Sequence, residues 1–133
     1  MEAGIIQSKA TSEIAQRLNK IYQAVLKLIS DSCADCLILE KIYADYKHPA
    51  TACALGQARG VICLAAATKE IPVIEYTATR VKKAVTGKGM ATKIQVQRMV
   101  MHLLKLTCTP EYLDVTDALA LAIAHSYIKQ VKI

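Results

Sequence analysis

The sequence predicts an α/β layer fold with a mainly parallel sheet, and three observations carry that prediction. Two short apolar runs, at residues 36–39 and 72–77, have the length and composition of buried strands. Longer stretches with apolar residues at helical spacing separate and follow them. No repeat, low-complexity tract or Pro/Gly/Ser linker interrupts the chain, so residues 1–133 read as a single domain, and 53% hydrophobic content suffices for one core.

Residues 3–9 read as a short opening strand. Thr11 and Ser12 are N-cap candidates for a helix in which Ile14, Leu18, Ile21, Tyr22, Val25, Leu28 and Ile29 form the apolar stripe. Residues 31–35 break it. Cys36-Leu-Ile-Leu39 then runs as a strand buried on both faces and ends abruptly at Glu40. A polar loop at 41–49 leads into a helix at 51–68 rich in Ala and Gly, with Gly56 and Gly60 one turn apart to permit close packing against another element or a partner subunit. After the second strand, a short helix at 79–85 ends at Gly87-Lys-Gly89, and a longer one at 91–106 carries a basic face. Residues 107–110 turn the chain into a final helix at 113–131, whose body Ala118-Leu-Ala-Leu-Ala-Ile-Ala124 predicts central packing with its acidic start against the sheet.

No continuous apolar run approaches a membrane span, and Met1 is not followed by a basic-then-apolar leader, so a cytoplasmic protein without a membrane role is expected. Five cysteines without small-scaffold spacing suggest free thiols. The net charge of +6 is uneven: residues 1–70 hold eight Lys/Arg against seven Asp/Glu, and residues 71–133 hold nine against four. Between Arg80 and Lys105 there are seven basic residues and no acidic one. Such a block attracts polyanions, nucleic acid foremost, although a solvated face would show the same composition.

Glu40 follows a buried strand, at the carboxyl end where open α/β sheets place their ligands, and a carboxylate buried there needs a cation or donors. It would equally mark a strand emerging into solvent. Asp114 and Asp117, at i and i+3, share a helix face and can address one locus, although acids also initiate helices by capping. If the three converge, they make a hard oxygen site suited to Mg2+ or Mn2+, and paired ions of this kind hydrolyse phosphodiesters. A basic block beside an acidic pocket is the charge layout of a metal-dependent nuclease.

Six segments resemble the RuvC family of Holliday-junction endonucleases, in the family's order: Leu37-Ile-Leu-Glu-Lys-Ile-Tyr43, Ala54-Leu-Gly-Gln-Ala-Arg-Gly-Val61, Ile71-Pro-Val-Ile-Glu-Tyr76, Arg80-Val-Lys-Lys-Ala-Val-Thr-Gly-Lys-Gly89, Lys93-Ile-Gln-Val-Gln97 and Asp114-Val-Thr-Asp-Ala-Leu-Ala120. The resemblance implies a ribonuclease-H-like mixed sheet flanked by helices and a homodimer acting on four-way junction DNA with Mg2+, often beside a branch-migration helicase complex. It implies that Glu40, Asp114 and Asp117 are three of four catalytic metal ligands, and that Lys82 and Lys93 contact DNA near the scissile phosphate. Arg80, Lys83 and Lys88 extend that basic surface. Tyr43 falls where the family stacks an aromatic on junction bases, although half-buried packing would also suit it. The helix at 51–68 resembles the family's dimer helix.

RuvC proteins open with a Gly-Ile-Asp-Pro-Gly type strand whose aspartate is the central ligand, followed by a second strand. Nothing in these 133 residues matches either, since Met1-Glu-Ala-Gly-Ile-Ile6 aligns with the third. The expected sheet therefore lacks the family's first two strands, and metal binding and activity are expected to be impaired. A fragment and a non-catalytic junction-binding remnant both fit. Cys33-Ala-Asp-Cys36 has metal spacing without a companion pair, Gly87-Lys-Gly89 lacks the rest of a phosphate loop, and His48, His102 and His125 are scattered.

Overall fold

A computed structural model describes residues 2–9, 11–43 and 47–130. Its elements are α1 (Ile14–Ser32), β1 (Leu37–Glu40), α2 (Pro49–Thr68), β2 (Val73–Tyr76), α3 (Ala78–Thr86), α4 (Lys93–Leu104) and α5 (Leu113–Gln130). Strands alternate with helices as predicted. Leu37 N–H donates to the Pro72 carbonyl at 2.9 Å and Lys41 N–H to that of Tyr76 at 2.8 Å, so partners advance in step and the two strands are parallel. Residues 3–9 form no strand, because a strand exists only through its ladder and the described sheet pairs β1 with β2 alone. The predicted loop at 41–49 includes residues 44–46, and the predicted final helix reaches 131; these positions lie outside the described residues.

The chain divides into two compact units. One is built on α1 and α2. Neither Thr11 nor Ser12 caps α1; Glu13 takes that position in extended backbone, without a side-chain cap. The helix ends where Cys33 enters the left-handed region (φ 48°) and Ala34 N–H reaches back to the Ile29 carbonyl. Val25, Ile29 and Ala65 form the buried cluster, flanked by Ile21, Tyr22, Leu26, Ile62 and Ile71. Pro49 opens α2 two residues before the expected start, where its missing N–H costs nothing. Gly56 and Gly60 face open space, with nothing within 4 Å of where a side-chain methyl would stand, so the approach to α1 runs through Ala65 instead. By length and composition α2 is apolar enough to cross a membrane, with a mean hydropathy of 1.4. The apolar stretch is not a continuous run, since Gln57 and Arg59 interrupt it while Ala and Cys on either side raise its mean hydropathy.

The other unit holds α3, α4 and α5 with the strand segment Ile38–Lys41. Its buried residues include Tyr76, Val81, Val85, Val96, Val100, Leu119, Ala120 and Ala124. β1 is half-buried along Leu37–Leu39 rather than enclosed on both faces. Nor is α5 buried all round. Thr116, Leu119, Ala120 and Ala124 face inward while Asp114, Asp117, Ala118 and Ala122 are exposed, since alanine has little area to hide and suits either side.

Candidate active site

The α3–α5 unit assembles its polar residues by ordinary helix construction. Thr77 caps α3, its side chain accepting from Arg80 N–H at 3.2 Å, which fixes the first turn. Burial of Val81 and Val85 then points that stripe inward and leaves Lys82 at the margin, half-buried. Gly87 closes the helix with φ 77°, a conformation that favours glycine. A full capping box starts α4: Gln95 N–H donates to the Thr92 hydroxyl at 3.3 Å and Thr92 N–H to Gln95 Oε1 at 2.9 Å. That box sets Lys93 as the first helical residue, with Val96 buried three positions on.

With the end of β1 and with α5, these elements border an open cavity of about 180 Å³ lined by Glu40, Ala78, Val81, Lys82, Lys93, Val96, Asp117, Ala120 and Leu121. Two carboxylates and two ammonium groups thus meet over an apolar wall. Glu40 is exposed at its strand end, as a strand emerging into solvent would place it, and it borders this cavity. Asp117 also borders it from solvent, not from against the sheet as expected. The inward stripe of α5 passes through Thr116 and Ala120, which leaves Asp117 at the rim. Asp114 is exposed in the first turn of α5 and does not line the cavity. Among the described residues no three His, Cys, Asp or Glu side chains are close enough together to hold a metal ion. The three carboxylates are therefore two at one cavity and one beyond its lining.

Arg80 lies over the Tyr76 ring, 5.2 Å from its centroid, and its N–H is used by the Thr77 cap. Lys83 lies on α3, outside the cavity lining. Lys88 lines a separate groove with Thr86, Ala91, Gln95, Arg98, Met99 and His102. Tyr43, in the α1–α2 unit, is 66% exposed, so half-buried packing is not its role. None of the five cysteines is in a disulfide, and Cys33 is exposed while Cys36 is partly covered.

One feature is invisible in the sequence. The Tyr76 hydroxyl, at the end of β2, hydrogen-bonds His125 Nδ1 at 2.9 Å on α5, with the rings 5.9 Å apart. The same Tyr76 carbonyl receives Lys41 N–H, directly after Glu40. A single buried residue thus ties the carboxylate-bearing strand end to the helix that bears Asp117.

A family model described as "Crossover junction endodeoxyribonuclease RuvC" matches residues 1–125. The Rhodopirellula baltica protein of that name is 41% identical over 127 residues, covering 96% of this chain and 71% of the relative. The Hydrogenovibrio crunogenus protein is 50% identical over 111 residues, covering 84% of this chain and 63% of the relative. The chain thus spans roughly two thirds of the length of the curated relatives it matches. Thermus thermophilus RuvC superposes with a TM-score of 0.89 at 26% identity, over 98% of this chain and 78% of that one. T. thermophilus RuvC in complex with Holliday junction substrate superposes equally well, at 25% identity. The fold is the ribonuclease-H-like one of those neighbours, and the chain belongs to the RuvC family of crossover junction endodeoxyribonucleases.

Proposed function

We propose that the chain is a structure-selective endonuclease of four-way DNA junctions, with Glu40, Asp117 and Asp114 on the metal side of the site and Lys82 and Lys93 on the phosphate side. The observation that carries the reading is the sharing of one cavity by Glu40, Asp117, Lys82 and Lys93. The carboxylates offer hard oxygen donors, which fits Mg2+, with Mn2+ as the alternative. Bound there, such ions would activate a water and steady the leaving oxygen. Lys82 and Lys93 hold the phosphate by charge, beside a wall of Val81, Val96, Ala120 and Leu121. Arg80, Lys83 and Lys88 extend the basic surface along the DNA, and exposed Tyr43 offers its ring to an unstacked base.

We read α2 as the homodimer helix. It exposes Leu55 and Leu64 beside the open Gly56 and Gly60, while Ile62 and Ala65 pack toward α1. A branch-migration helicase complex is the further partner this role implies. Because, of the three carboxylates, only Glu40 and Asp117 line the cavity and no three-ligand cluster forms among the described residues, cleavage by this polypeptide is expected to be weak. Incubation with a labelled synthetic junction and Mg2+ tests the reading. Symmetric paired nicks, strengthened by fusing a Gly-Ile-Asp-Pro-Gly strand to the N-terminus, support it; no nicks in either form sink it.

A second reading, a non-catalytic junction binder, is favoured by the lack of a three-ligand cluster among the described residues. It predicts salt-sensitive junction binding with no cleavage in the fused form.

A further inference from the structure

The groove beside α4 has a donor inventory that the active-site cavity does not use. It measures about 330 Å³ and is lined by Thr86, Lys88, Ala91, Gln95, Arg98, Met99 and His102, none of which lines the Glu40 cavity. Its polar side chains offer mainly donors. Lys88 and Arg98 are cations, and neither ammonium nor guanidinium can accept a hydrogen bond. Gln95 spends its carbonyl oxygen on Thr92 N–H within the capping box, which leaves its amide N–H groups to donate. The Thr86 hydroxyl is absorbed by the turn, lying against the Lys82 and Lys88 carbonyls and accepting from Lys88 N–H. His102 stands one turn beyond Arg98 on the same face of α4. Among the described residues no carboxylate lines the groove. Cations gathered without a counter-charge repel one another, and an anion between them relieves that cost.

We infer that this groove is a second phosphate-binding site, separate from the cleavage cavity, which holds a backbone phosphate of one DNA arm between Lys88, Arg98, Gln95 and His102. Arg98 supplies the fork that pairs with two phosphate oxygens, and Lys88 acts as the point charge. The inference rests on the proposed DNA-junction reading and adds a second track of contact to it. Because a phosphate carries no sequence information, the groove contributes to affinity on junction and linear duplex alike.

The test uses the full chain and fluorescence-anisotropy titrations of a four-way junction and a linear duplex across a salt series. Two double variants are compared, K88Q/R98Q and K82Q/K93Q. Neither altered groove residue is buried, so unchanged far-UV circular dichroism and melting confirm the fold. The expected result for K88Q/R98Q is weaker binding of both DNAs and a log K against log[salt] slope shallower by about 0.9 for each phosphate no longer neutralised. An unchanged slope and affinity in K88Q/R98Q, with K82Q/K93Q weakened, overturns the groove assignment and leaves the junction reading standing. Failure of the unmodified chain to bind either DNA overturns the junction reading and the groove with it. A thermal shift with inorganic phosphate that K88Q/R98Q abolishes, without any change in DNA affinity, assigns the groove to a free anion and overturns the DNA arm.

Discussion

Replacing Tyr76 by Phe removes one oxygen from a buried position and tests how the site is held together. Tyr76 is 7% exposed, and its hydroxyl meets His125 Nδ1 at 2.9 Å. The ring stays, and with it the Arg80 contact at 5.2 Å, so almost no packing volume is lost. The cost is then the net value of one hydrogen bond, about 1 kcal/mol, with a range of roughly 0.5–1.5 kcal/mol. With a urea m-value of about 2 kcal/mol/M, the denaturation midpoint falls by about 0.5 M while m is unchanged. A double-mutant cycle isolates the pair: in a His125→Ala background the second loss from Tyr76→Phe is small. Equal losses from Tyr76→Phe with and without His125 would refute the bond as the source. Since Tyr76 also receives Lys41 N–H, the same variant is expected to loosen Glu40 relative to Asp117, read as weaker divalent-metal binding under conditions where the protein remains folded.

Two further substitutions test local energetics. Thr116 is 3% exposed and its hydroxyl has no hydrogen-bond partner among the described residues, so Thr116→Val, close in shape, should be neutral or stabilising by up to about 1 kcal/mol in urea denaturation. Destabilisation beyond that would mean the hydroxyl does have a partner. Gly87 closes α3 at φ 77° with open space around it, so Gly87→Ala should cost about 1 kcal/mol from backbone strain alone. A Gly87→Asn variant recovers part of it, because asparagine tolerates this conformation; equal losses for both would point to a cause other than backbone handedness.

The parts of the fold that are legible in the sequence are those set by local chemistry. Gly87 marks the end of α3, and the helical spacing of Val81 and Val85 marks its inner face. The strand ending at Glu40 is placed to within a residue because an apolar run meets a charge. The start of α1 is missed because Thr11 and Ser12 look like caps, while the turn from Lys9 to Ser12 carries the chain past them to Glu13. The strand expected at residues 3–9 fails for a different reason: a strand is a pairing, and propensity says nothing about whether a partner is present.

At the site, Glu40, Asp117, Lys82 and Lys93 can be named from the sequence, and the structure brings them to one cavity. Asp114 is grouped with them by its i, i+3 spacing, which fixes a shared helix face but not which of the two reaches the cavity lining. The Tyr76–His125 bond spans residues far apart in the chain, so no local pattern could reveal it. The α4 groove leaves a faint trace, Arg98 and His102 one turn apart, which reads in sequence only as part of a basic block.

The most direct test of the central claim is a Mn2+ titration of the full chain followed by paramagnetic broadening of backbone amide signals, a readout that registers even weak binding. The account predicts early loss of the signals of Glu40, Lys41 and Asp117 and their neighbours, and that E40Q or D117N shifts this loss to at least about tenfold higher Mn2+, as removal of a direct ligand should. Broadening centred away from those residues, or unaffected by either substitution, would contradict a metal site built on Glu40 and Asp117.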